Sequence, residues 1–189
     1  MLFGFVDLHT TYIIFHLLGV VLGAGGAFVS DAMFLLSIKD GKIFKTEMRF
    51  LKLGSSIVWI GLIILIVSGA LLFSEDTERY LNSSKFLAKM TIVGIIIING
   101  FVFHRYHIPF LNRRIDASLR SSKIFLKRLP LLMVSGVISM VSWLSALTLG
   151  VFKAVPYSYA EIMMLYMFIL AAAIIFSFLI RKHLSDFAD

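Results

Sequence analysis

A histidine interrupts the apolar run "IIFHLLGVVLGAGGAFVSD", residues 13–31, and an aspartate ends it. An imidazole at His16 among Ile, Phe, Leu and Val is costly in lipid, and ionisable residues at such depth lean towards function. At about 100° per helical residue, His9, Gly23 and Ala27 lie within about 20° of the direction of His16, with Gly19 about 60° away. Two chemistries suit such a stripe. An axial histidine beside bare backbone leaves a flat slot for a haem, as cofactor sites in bundles are built from inward-facing side chains. The same small residues also let a second helix approach closely, with His16 hydrogen-bonding across the contact. His9, nearer the end of the run, reads as interfacial.

A second constellation lies in "KFLAKMTIVGIIIINGFVFHRYHIPFL". Lys89, Ile96, Gly100 and His107 share a face within about 20°, flanked by Asn99 and His104. Lys89 either snorkels to headgroups or turns inward to pair with a carboxylate such as a haem propionate. Asn99 must hydrogen-bond something, and helix–helix contact is the default. His104 lies about 28 Å below the boundary that His16 approaches to about 12 Å, so the two cannot clamp one iron. The partners available to His16 are then Met90, Met163, Met164 and Met167, or its iron stays five-coordinate. His104 and His107, with Arg105 and Asp31, form a separate cluster. "MMLYM" stacks Met163 and Met167 one turn apart; thioethers favour Cu(I), although methionine is also a routine core filler.

These residues need helices to hold them. The 189-residue chain is 59% hydrophobic and 15% charged, outside the range of ordinary soluble domains. Its apolar runs match the thickness of a hydrocarbon core and are continuous rather than alternating, hence helical. Five spans are expected, at 8–38, 53–73, 85–111, 130–152 and 158–180, forming one all-α integral-membrane bundle in a single domain. The absence of Cys excludes disulfides and thiolate sites. No basic n-region with a cleavage site opens the chain, so the first segment is expected to stay in the mature protein.

The net charge of +7 falls in short blocks beside the spans rather than on a nucleic-acid face. Lys39, Lys42, Lys45, Arg49 and Lys52 form one block. Arg113, Arg114, Arg120, Lys123, Lys127 and Arg128 form another, and Arg181 and Lys182 close the chain, while "SEDTERYLNSS" is acidic. Alternate connections are therefore basic, which predicts the N-terminus outside and the C-terminus in the cytoplasm. His183 lies beyond the last expected span. Pro130 suits the first turn of the fourth helix, Pro156 breaks the last hairpin, and Pro109 should end or kink the third. Ile115, Leu119 and Phe125 suit a short surface helix in the second basic loop. P-loop, HExxH and Ser–His–Asp patterns are absent, as are paired acidic residues at bilayer depth.

"FHLLGVVLGAGGAF" resembles the first helix of the copper-resistance D (CopD) membrane family and its relatives, which include the HemJ-type protoporphyrinogen oxidases. The segment from Lys85 to Leu111 is similar to a later helix of that group. The correspondence falls on His16, Gly23, Gly26, Lys89, Asn99 and Pro109, over about a third of the chain. It implies a helical bundle and, for the HemJ branch, b-type haem on an intramembrane histidine. The chain departs from the group at Leu22-Gly23-Ala24, where a Trp is usual, in having five spans, and in carrying His104 and His107.

The expectation from sequence is a haem-b protein of a bacterial or archaeal inner membrane, for electron transfer or oxidation of a porphyrinogen- or quinol-type substrate. His16 would ligate iron, Gly19 and Gly23 would form the slot, Lys89 would meet a propionate, and His104 and His107 would form an interfacial polar network or bind a second cofactor. The alternatives are a copper or other small-solute transporter and a membrane-complex subunit. The expected partners are the lipid bilayer, a redox protein or quinone, and a second copy of the chain, but not nucleic acid.

Overall fold

The computed structural model describes residues 7–119 and 121–186, with side chains to residue 179. Arg120 lies outside the described residues, as do the side chains of Arg181, Lys182 and His183. Helix α1 (Leu8–Asp40) starts on an Asp7 cap, whose carboxylate accepts from the Thr10 amide at 2.8 Å. It stops at Gly41, which takes φ 73° and returns its N–H to the Ile38 carbonyl. A left-handed residue costs glycine least. Helix α2 (Lys45–Glu75) opens with Glu47 accepting from the Phe44 amide, and a short α3 (Thr77–Leu81) follows it. Helix α4 (Ser84–Val102) runs through a π-helical turn, Phe103–His107, into α5 (Ile108–Asn112). Helices α6 (Lys123–Val151) and α7 (Tyr159–Asp186) complete the chain.

Five helical segments are long and apolar enough to cross a membrane, with α4, the π turn and α5 forming the third. The protein is thus an all-α membrane bundle. Their outward faces are apolar, as at Leu17, Val21, Ile63, Ile98 and Phe168, which is what lipid requires of a helix surface. Neighbour packing runs α1 to α2, α2 to α4, α4 to α6 and α6 back to α1, so four spans close a ring. Helix α7 packs outside it, in the groove of α4 and α6.

Several boundaries differ from the sequence reading. The second span begins at Lys45 rather than 53, because its basic first turns continue the helix beyond the apolar run. The fourth begins at Lys123, where Ser122 accepts from the Phe125 amide, so Pro130 sits inside the helix and not in its first turn. The last helix reaches Asp186 rather than 180. Among the described residues of the second basic loop no surface helix forms. Ile115 and Leu119 instead turn inward, joined by isolated bridges from Lys42 to Ser118 and Ile43 to Ile115. Ile43, Leu119 and Phe125 are fully buried with Met48, Leu51 and Leu111 in a core at the basic end. Packing these apolar groups against each other removes them from water at the membrane's edge.

Candidate functional site

The helix ring holds its polar side chains in its middle. The stripe on α1 continues from Gly23 and Ala27 to Ser30 and Asp31. Ser135, Ser139 and Ser142 recur on one face of α6 within about 60°. Ala27, Ser30, Asp31, Ser135 and Ser139, with Ser55 of α2 and Asn99 of α4, line a cavity of about 40 Å³ whose wall also includes Trp59 and Trp143. Space of that size holds about three waters. Asn99 and Ser135 satisfy each other, the amide donating to the Ser135 carbonyl at 3.0 Å and the hydroxyl to Asn99 Oδ1 at 2.9 Å. Asn99 is the helix–helix contact expected of it.

Asp31 is different. The Ser139 hydroxyl is in hydrogen-bonding reach of its carboxylate, but Asp31 Oδ2 is buried with no partner. The neighbouring Ser30 Oγ is also buried and unpartnered. Room for these groups comes from glycine: a Cβ at Gly54 would come under 3.0 Å of Ser30 Oγ, and one at Gly136 would sit 3.6 Å from Asp31 Oδ1. Towards the basic end, Ser55 Oγ pairs with His104 Nδ1 at 2.9 Å. On the other side Leu62, Ile92, Ile96 and Trp143 close the ring with a buried apolar layer.

Beyond that layer lies His16, whose Nδ1 meets Ser68 Oγ at 3.1 Å. Lys89 is half-buried and within electrostatic reach of it. Ser55 and Ser68 are 13 positions apart on α2, about 20 Å, so His16 and His104 occupy separate levels as their spacing requires. His9 pairs with Glu75 at the open end of the α1–α2 hairpin, away from the basic loops. The grouping of His104, His107, Arg105 and Asp31 divides. His104 joins Ser55, His107 is buried edge-on to Phe103, and Arg105 faces a different pocket.

The faces of Gly19 and Gly23 are occupied rather than open as a slot would be. A Cβ at Gly19 would lie 2.9 Å from the Leu65 amide nitrogen, and one at Gly61 under 3.0 Å from the Gly23 nitrogen. Gly26 is similarly close to the Gly54 carbonyl, at 3.2 Å. These residues are a seam in which the α1 and α2 backbones touch. The open side of Gly23 is filled by the Trp143 ring. Nor do the methionines converge on His16. Met90 and Met167 point outward, 42% and 54% exposed, while Met163 packs in the core on α7, which lies against α4 and α6. Among the described residues no three His, Asp or Glu side chains gather as a metal-binding group.

Sequence reasoning missed Ser30, Ser55, Ser68, Ser139 and Trp143. The serine spacing on α6 was a visible signal; the pairing of Ser55 and Ser68 with histidines from other helices had none. Comparisons with protein-family models, with curated proteins and with solved structures each find no match.

Proposed function

We propose that this protein is a membrane carrier of a small, hard, monovalent cation, a proton or sodium, bound at Asp31 inside the helix ring. The observation that carries this reading is the unpartnered Asp31 Oδ2 beside the unpartnered Ser30 Oγ on a small cavity. A buried polar oxygen left without a partner costs about 1–3 kcal/mol, more when charged, and water or a cation in the cavity removes that cost. The donors there are carboxylate and hydroxyl oxygens, which suit hard cations rather than Cu(I). One carboxylate balances one positive charge. His104 and Ser55 lead to the cavity from the basic end, and the Leu62–Trp143 layer closes it from the other.

The test is ion flux in liposomes containing the purified protein. Asp31→Asn should abolish flux driven by a pH or sodium gradient, and a pH-sensitive dye read with and without sodium separates the two cargoes. Wild-type flux no higher than in protein-free liposomes, or unchanged flux in Asp31→Asn, refutes the reading.

A second reading, haem b, is favoured by one observation. Ser68 fixes His16 Nδ1, and the other ring nitrogen has no partner among the described residues, an arrangement typical of ligating histidines. A haem would supply a redox-active iron, and Lys89 would be the cation to meet a propionate, but the ring would have to lie off the Gly19–Gly23 face. A Soret band lost in His16→Ala supports this reading. A protein colourless with and without added haemin excludes it.

A further inference from the structure

A pocket of about 510 Å³ lies at the basic end, between the π turn with α5 and the start of α6, outside the proposed cation path. Arg105, Arg113, Arg114 and Arg128 line it. Its shape begins with Pro109, which has no N–H and whose ring would collide with the Arg105 carbonyl in a regular helix. The chain widens there into the π turn, in which the Ile108 amide reaches back to the Phe103 carbonyl. Such turns recur at functional sites.

Phe110 then organises the cations. The Arg114 guanidinium stacks 3.7 Å from its ring centroid and donates to the Phe110 carbonyl at 2.9 Å. Arg128 stacks on the same ring at 4.9 Å. None of the four arginines is paired with a carboxylate among the described residues. Four like charges around one space repel each other unless an anion sits among them. Guanidinium forks match phosphate oxygens two at a time. Tyr106 and Ile124 form an apolar side of the pocket, 57% and 63% exposed, and Leu131, 59% exposed, lies about two turns further along α6 from Ile124.

We propose that this pocket binds the phosphate headgroup of an anionic phospholipid, whose chains run along Tyr106, Ile124 and Leu131. Inorganic phosphate shares the head chemistry but has nothing to place on that apolar strip.

The test is native mass spectrometry of the full-length, delipidated protein titrated with phosphatidylglycerol or phosphatidylcholine. Phosphatidylglycerol should bind at least about tenfold more tightly. Arg113→Gln/Arg128→Gln should weaken it by roughly 25-fold, about fivefold per arginine near a membrane surface. Lys42→Gln/Lys45→Gln, at the same end but outside the pocket and screened from the bound headgroup, should change it less than about threefold. Millimolar inorganic phosphate should not displace the lipid. If the double arginine variant fails to fold, Arg105→Gln/Arg113→Gln, which leaves the Phe110 stack intact, carries the same expectation. Equal binding of the two lipids, equal losses in the arginine and lysine variants, or displacement by inorganic phosphate overturns the proposal.

Discussion

Replacing Gly61 by alanine should drive α1 and α2 apart. The added Cβ would fall under 3.0 Å from the Gly23 nitrogen and 2.8 Å from the Gly19 carbonyl oxygen. Both neighbours are backbone, so no side chain can swing away and the helices themselves must separate. Overpacking of this kind costs about 1–3 kcal/mol, and the gain from replacing a helical glycine returns about 0.5–1 kcal/mol. A net loss of up to about 2.5 kcal/mol lowers the melting temperature by up to about 10 °C in a chain of this size. Gly25 supplies the control, since nothing lies within 4 Å of its added Cβ. Gly25→Ala keeps only the helix gain and should raise the melting temperature slightly. Intrinsic fluorescence during thermal unfolding in detergent reads both, because the chain has two tryptophans and Trp143 lies against the seam at Gly23. Gly23→Leu should also destabilise the cofactor-free protein and shift its emission. If Gly61→Ala and Gly25→Ala move the melting temperature alike, the seam is not where the helices meet.

Asn99→Ala and Ser135→Ala, combined in a double-mutant cycle, should show a coupling of about 0.6 kcal/mol and no more than about 1.7, the range for hydrogen bonds between membrane helices. The Asp7 carboxyl, held below its usual pKa by hydrogen bonds from the Thr10 side chain and amide, should stabilise the start of α1 above the ordinary carboxylate pKa. That contribution is lost as pH falls through the lowered value; hydrogen exchange at the first turn should rise at low pH in the wild type and be insensitive to pH in Asp7→Ala. Because the chain has no cysteine, Ser121→Cys and Glu78→Cys each give one labelling site, and an impermeant reagent on intact cells should label Glu78→Cys alone. Labelling of both, or of Ser121→Cys alone, refutes the cytoplasmic placement of the basic end.

The sequence by itself determined the class of the molecule. Lipid admits only backbone that satisfies itself, so continuous apolar runs of this length had to be helices, and their number could be counted. It also located the polar groups along each helix, since 3.6-residue periodicity puts His16, Gly23 and Ala27 on one face and Ser135, Ser139 and Ser142 on another. Which face meets which is a different matter. In a bilayer the outside of a helix is as apolar as a buried side, so composition marks no partner. A glycine stripe reads equally as a slot for a flat ring or as a seam, and only the placement of α2 and Trp143 chose the seam. Ser55 and Ser68 look alike in sequence, yet one faces His104 and the other His16, because α2 turns different sides to α4 and α1. The loop residues Ile115 and Leu119 read as a surface helix until the first basic loop closed over them. The unpartnered oxygens of Ser30 and Asp31 are likewise a tertiary fact, since a missing hydrogen bond exists only relative to the neighbours that fail to make it.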